Sequence, residues 1–173
     1  MSYITRNLEK VVLEVTNEYP VVLVTGPRQV GKTTMLQKLM EGTDRSYVSL
    51  DDLNERNLAK TDPELFLQMH RPPVLIDEVQ YAPELFTYIK IYVDNNKKAG
   101  DFWLTGSQVF KLMRGVQESL AGRVAVLSLT SLSQAEICNG AMTPFTIDKD
   151  ALIARSKERN AIDTIEIFER IYK

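Results

Sequence analysis

The sequence is poor in the residues that build metal and disulfide scaffolds. Of its 173 residues one is cysteine, Cys138, and one is histidine, His70. A single thiol excludes an intrachain disulfide, and one Cys with one His cannot assemble a Cys/His zinc site. An excess of positive charge is also missing: 21 Lys and Arg against 23 Asp and Glu give a formal net charge of −2. That excludes a domain held on nucleic acid mainly by bulk positive charge. No apolar run approaches the ~20 residues that a membrane helix needs. The first ten residues, MSYITRNLEK, place charges where a signal peptide needs its apolar stretch. The expectation is a soluble cytoplasmic protein with no membrane partner. What is there is a globular mixture, 44% hydrophobic and 25% charged, without repeats or low-complexity tracts. A chain of this length can bury a core without staples.

Short β-branched runs alternate with helical patterns. Ile4, Leu8, Val11, Val12 and Val15 recur at helical spacing, with Ser2 placed to cap. Pro20 closes that helix. The continuous apolar run Val21 to Val24 predicts a strand covered on both faces. A helix is predicted from Lys32 to about Met40, a second strand from Tyr47 to Leu50, and further strands at Val74–Ile76, Phe102–Thr105 and Val124–Leu129. Asp52 with Glu55 reads as a capping box, and Asp62-Pro63 opens another helix with proline at its first position. A helix after Pro83 runs to about Asn96. Strands and helices in alternation predict βαβ units and a parallel sheet. In such sheets ligands sit at the carboxyl ends of the strands. Gly26 to Thr33, Asp51-Asp52, Asp77-Glu78 and Thr105-Gly106-Ser107 all fall there.

Gly26-Pro27-Arg28-Gln29-Val30-Gly31-Lys32-Thr33 matches the phosphate-loop pattern G-x-x-x-x-G-K-[ST], between a buried strand and a helix as the motif requires. Glycines permit the tight turn, and successive N–H groups with the following helix start form an anion cradle. Thr34 extends this set. Lys32 is expected to reach the β- and γ-phosphates, and Thr33 to offer its hydroxyl to Mg²⁺. Val74-Leu75-Ile76-Asp77-Glu78 supplies the acidic partner at the end of another buried strand. Asp77 is the candidate for holding Mg²⁺ through its water shell, and Glu78 for orienting or deprotonating the attacking water. Ser107 or Gln108, at the tip of the fourth strand, is a candidate sensor of the γ-phosphate, although a turn with a helix cap reads nearly as well. Arg123, directly before the fifth strand, is the candidate arginine finger, with Arg114 as rival; a plain surface arginine explains either one.

With these residues together the sequence resembles the prokaryotic AAA-type ATPases, a family whose phosphate loop reads GPRQVGKTT. The likeness continues through SLDD, IDEVQYAPELF, LTGSQ and SLAGR. It implies a P-loop NTPase fold of the α/β class with three α/β/α layers. The acid pair, together with the polar residues at the tip of the fourth strand, predicts a parallel five-stranded sheet of order 5-1-4-3-2, with that strand inserted beside the first. The resemblance implies an AAA-type domain over residues 1–136. Residues 137–173 would be a linker and the start of a C-terminal region. Family members usually carry a second domain there. An amphipathic pattern through Ile162, Ile165, Phe168, Ile171 and Tyr172 that has no stop signal agrees with that expectation.

The leading expectation is Mg-dependent hydrolysis of ATP that drives a partner, a homo-oligomer or the further domain, with low activity in this stretch alone. The alternative is a nucleotide-gated switch or scaffold that turns over slowly or not at all. A GTPase fits less well, because Asn96-Lys97-Lys98-Ala99 lacks the Asp of [NT]-K-x-D. A small-molecule phosphotransferase needs lid arginines that the sequence does not point to. Nucleic-acid binding is not expected, since Glu158 interrupts the cluster Arg155, Lys157 and Arg159. His70 reads as a helix-end residue, Tyr81 as a packing ring that could stack on adenine, and Cys138 as a core or loop thiol.

Overall fold

A computed structural model describes residues 3–108, 112–113, 115–137 and 146–157. Ser2, Arg114, Cys138 and the helical pattern beyond 157 lie outside the described residues. Contacts group the chain into two units, Arg6–Ser131 and Met1–Thr5 with Leu132–Lys173.

In the larger unit, α1 (Leu8–Thr16) leads into β1 (Val21–Thr25), and α2 (Lys32–Met40) into β2 (Ser46–Ser49). Two helices, α3 (Leu53–Thr61) and α4 (Pro63–Met69), precede β3 (Val74–Asp77). A 3-10 turn (Val79–Tyr81) and α5 (Leu85–Asn96) lead to β4 (Phe102–Gly106). A five-residue π-helix (Val116–Leu120) precedes β5 (Val124–Ser128). α1 starts later than its periodicity suggests: Ile4 stays outside, because the Arg6 N–H bonds the Glu9 carboxylate at 2.6 Å and the chain turns there.

All pairings are parallel and the sheet runs β2-β3-β4-β1-β5, which read from the other edge is the expected 5-1-4-3-2. β1, β3 and β4 are buried throughout, which is why their sequences are continuous apolar runs and not alternating ones. Side chains still alternate between faces. Val21 and Leu23 join the core beneath α3, α4 and α5, where Phe66, Phe86 and Ile89 pack. Val22 and Val24 join the core beneath α1 and α2, with Met35 and Trp103. Two apolar layers thus clamp the sheet. The hydrophobic contribution is of order 1.5–3 kcal/mol per large side chain removed from water.

Local signals explain the helix starts. Asp52 caps α3 by accepting from the Asn54 and Glu55 N–H groups at 2.7 and 3.1 Å. Glu55 does not complete the expected capping box: its Oε2 lies 2.8 Å from His70 Nε2, at the end of α4. The imidazole at the end of the neighbouring helix takes the carboxylate instead. Asp62 caps α4, accepting from Leu65 N at 2.9 Å, with Pro63 at the first helical position.

Among the described residues the second unit contributes two short helices. Ser133 and Glu136 form a reciprocal cap on Gln134–Ile137, with Glu136 N 3.2 Å from Ser133 Oγ and Ser133 N 2.7 Å from Glu136 Oε2. Asp148 caps Lys149–Lys157 through Ala151 N at 2.9 Å.

Candidate functional site

The loop from β1 to α2 makes its turn with backbone that few side chains tolerate. Gly26 has φ of 145°, and a Cβ there would stand 2.1 Å from the Leu129 carbonyl oxygen. Gly31, at the N-cap of α2, has φ of 89°. Gln29 takes φ of 64° without that excuse, so the surroundings must hold it. One brace is Arg6, a buried arginine whose guanidinium donates to Val30 O at 2.8 Å and Thr130 O at 2.7 Å. It ties the loop to the segment leaving β5.

Lys32 is 5% exposed and turned back on its own loop, donating to Gly26 O at 3.1 Å and Pro27 O at 2.7 Å. Burial lowers its pKa, opposed by the carboxylates of Glu78 and Asp77. The ammonium is therefore poorly solvated and, among the described residues, has only carbonyl dipoles as hydrogen-bond partners, a state that a phosphate oxygen would improve.

Asp77 ends β3 and is buried. Its Oδ1 accepts from Thr33 Oγ1 at 2.7 Å and from Thr105 Oγ1, and its Oδ2 from the Tyr47 hydroxyl at 3.3 Å. Burial and the adjacent carboxylate of Asp77 push the Tyr47 phenol up. The register Ile76↔Leu104 sets Thr105 beside Asp77, so the insertion of β4 between β1 and β3 delivers that hydroxyl. Thr105 Oγ1 also accepts the Glu78 N–H at 3.1 Å. Glu78 itself leaves the strand in left-handed conformation, φ 55° and ψ 45°. Its Oε2 accepts from Ser107 Oγ at 3.1 Å and from Gln80 Nε2.

Arg28, Gln29, Gly31, Lys32, Thr33, Thr34, Asp51 and Glu78 line one pocket of about 400 Å³. Pro27 stands next to it in the loop, and Ser107 reaches it through Glu78. Thr33 and Asp77 are hard oxygen donors converging within hydrogen-bond distance. That suits Mg²⁺, which takes one or two protein oxygens and completes its shell with waters and phosphate oxygens. Among the described residues no group of three or more His, Cys, Asp or Glu stands ready to hold a metal by itself. A second hollow, about 500 Å³, is lined by Leu67, Tyr88, Ile91 and Tyr92 between α4 and α5, and carries none of these groups.

Arg123 is not brought to this pocket. Its carbonyl accepts from Val21 N, at the start of β1, whereas the phosphate loop leaves the end of β1. A five-residue strand at about 3.3 Å per residue puts roughly 15 Å between them. The guanidinium instead pairs with Asp94, Nε to Oδ1 at 2.5 Å. Tyr81 is also occupied: Arg56 covers its ring at 3.9 Å, and Arg28 reaches its hydroxyl at 3.4 Å.

The sequence reading missed Arg6, Tyr47 and Gln80, and named Thr105 only as part of a strand tip. Arg6 and Tyr47 carry no local signal. Gln80 follows the acid pair by two positions, which is one.

A family profile for the AAA domain matches residues 18–138, most of the chain and all of this pocket. The chain belongs to that AAA domain family, a group of P-loop ATPases. Two relatives of this AAA domain are the uncharacterised proteins Rv2008c of Mycobacterium tuberculosis and Mb2031c of Mycobacterium bovis. Each is 35% identical over 123 residues, which is 70% of this chain. The chain spans only 27% of the length of either. Among solved structures, the Walker-type ATPase PABY2304 of Pyrococcus abyssi superposes with a TM-score of 0.58. It is 18% identical and covers 82% of this chain and 60% of that one, a likeness of fold alone. No helix among the described residues is long and apolar enough to cross a membrane.

Proposed function

We propose that the chain binds ATP and hydrolyses it to ADP and phosphate with Mg²⁺. The observation that carries this is the convergence of Lys32, Thr33 and Glu78 on one pocket at the carboxyl ends of β1 and β3, with Asp77 hydrogen-bonded to Thr33 behind it. The loop N–H groups and the start of α2 take the phosphates. Lys32 leaves the carbonyls of Gly26 and Pro27 for a phosphate oxygen. Thr33 would offer its hydroxyl to Mg²⁺ and Asp77 would hold the ion through its water shell, in place of their mutual hydrogen bond. Mg²⁺, when bound, neutralises charge on the β- and γ-phosphates. Glu78 accepts a proton from water as the water oxygen bonds to the γ-phosphorus and the bond to the β–γ bridging oxygen breaks.

The same proposal takes residues 1–136 as the ATPase domain and 137–173 as a linker with the start of a further region. The turnover would serve that region, a protein partner or a neighbouring copy in the cytoplasm. A second reading, a slow nucleotide-gated switch, is favoured by the position of Arg123. Held on Asp94 at the far end of the sheet, it could serve only the pocket of another copy, so a lone chain would be slow.

Glu78→Gln tests the ATPase reading. It keeps size and hydrogen bonding but cannot take a proton, so ATP affinity should persist while single-turnover hydrolysis falls about 10²–10⁴-fold. Lys32→Ala should instead weaken ATP binding itself, and Asp77→Asn should recover partly with excess Mg²⁺. Near-normal turnover in Glu78→Gln would remove the water-activating role from that residue.

A further inference from the structure

Gln80 is a polar side chain in an expensive place. It sits in the 3-10 turn directly after the acid pair and is 7% exposed. Its Nε2 donates to Glu78 Oε2 and lies 3.5 Å from Ser107 Oγ. Ser107 Oγ donates to the same Glu78 oxygen at 3.1 Å. Two donors, one after β3 and one after β4, thus converge on one carboxylate oxygen. The other end of the amide gains nothing: Gln80 Oε1 is buried without a hydrogen-bond partner among the described residues. The carboxylate dictates that orientation, because only the NH₂ end of the amide can face an acceptor. The fold also clears space for the oxygen, since a Cβ on Gly106 would stand 2.5 Å from it. A buried amide with one end unmet costs stability that an apolar side chain of the same shape would not. What Gln80 offers in return is its bond to Glu78.

We infer that Gln80 is a positioning residue for ATP hydrolysis. With Ser107 it holds Oε2 of Glu78 and so fixes the rotamer that presents Oε1 to the attacking water. The left-handed backbone of Glu78 makes such a hold necessary. The side chain leaves the strand at an unusual angle, and the bond from Glu78 N to Thr105 fixes only its root. Gln80 does not line the pocket, so it acts through Glu78. This role rests on the ATPase reading above.

The test uses Gln80→Met, which keeps length and volume and removes the amide, alone and combined with Glu78→Gln in the full chain. Affinity is read by titration with a fluorescent ATP analogue, chemistry by single-turnover hydrolysis of ATP, and folding by the thermal midpoint. Gln80→Met should slow hydrolysis by about 10–100-fold, the scale of misplacing a reacting group by an ångström. Its affinity for the analogue should be unchanged, and its midpoint equal to or above the wild type's. The double variant should be no slower than Glu78→Gln alone, because both changes act on one group. Losses that add in the double variant, a fall in affinity together with the midpoint, or turnover at or above the wild-type rate would each overturn the role. If Gln80→Met does not fold, Gln80→Leu carries the same comparison. A wild-type chain that binds the analogue and never hydrolyses ATP would overturn the ATPase reading and this role with it. Additive losses in an active protein overturn the role of Gln80 alone.

Discussion

Three hydroxyls, from Thr33, Thr105 and Tyr47, surround the carboxylate of Asp77, and each comes from a different part of the chain. They satisfy a carboxylate that sits buried at a strand end. Thr105 does the most, since it donates to Asp77 and accepts from Glu78 N with one oxygen. Thr105→Val keeps the shape, leaves the Glu78 N–H unmet and takes from Asp77 Oδ1 one of its two donors. The expected loss of folding stability is about 1–3 kcal/mol. Urea unfolding should show it as a lower midpoint at unchanged slope. Thr105→Ser should retain most of the stability. At this scale the sequence announced Lys32, Thr33, Asp77 and Glu78, because loop and acid pair are contiguous motifs. It could not announce Tyr47 or Arg6, whose partners are 30 and 124 positions away.

The two helices between β2 and β3 show how an element is set by local chemistry and then revised by its neighbour. Asp52 and Asp62 each stand one residue before a helix and cap it, as their place in the sequence indicates. Asp52→Ala should cost about 1 kcal/mol and Asp52→Asn much less. Thermal or urea unfolding of the three proteins checks the order. Glu55 is the revision. The pattern Asp-x-x-Glu predicts a reciprocal cap, but α4 sets His70 Nε2 2.8 Å from the carboxylate and the Asp52 N–H goes to Ser49 O at 3.3 Å. Phe66 packs against His70 in a tilted contact, ring centres 4.6 Å apart, and keeps the imidazole there.

At the scale of the whole molecule, the parallel sheet has two ends with different tasks. Phosphate loop, acid pair and the tip of β4 meet at one end. Arg123 and Asp94 lie at the other, and so do Arg45 and Trp103, with the guanidinium 4.0 Å over the indole. If Arg123 serves the pocket of a neighbouring copy, ATP turnover per chain should rise with protein concentration. Arg123→Ala should then hold the dilute rate at every concentration. An arginine supplied in this way is worth roughly 10³–10⁵ in rate. The thermal midpoint should hardly move, because the pair with Asp94 is solvent-screened. Turnover that is independent of concentration and of Arg123 would leave that residue a surface ion pair.

The sequence by itself determined the main elements, the strand order and the phosphate-loop motif. Apolar β-branched runs have few ways to be buried except as central strands. A glycine loop with Lys and Thr before a helix needs no distant partner to bind an anion. The acid pair and the polar tip of the fourth strand implied that this strand lies inside the sheet, and it does. Tertiary structure alone decided which side chains finish the site. Gln80 turning back onto Glu78, Arg6 bracing the loop, Tyr47 reaching Asp77 and Arg123 facing away all depend on the angles at which separate segments cross. Hydrophobic periodicity carries no record of those angles, because it specifies which face of an element is buried and not what its polar ends will meet.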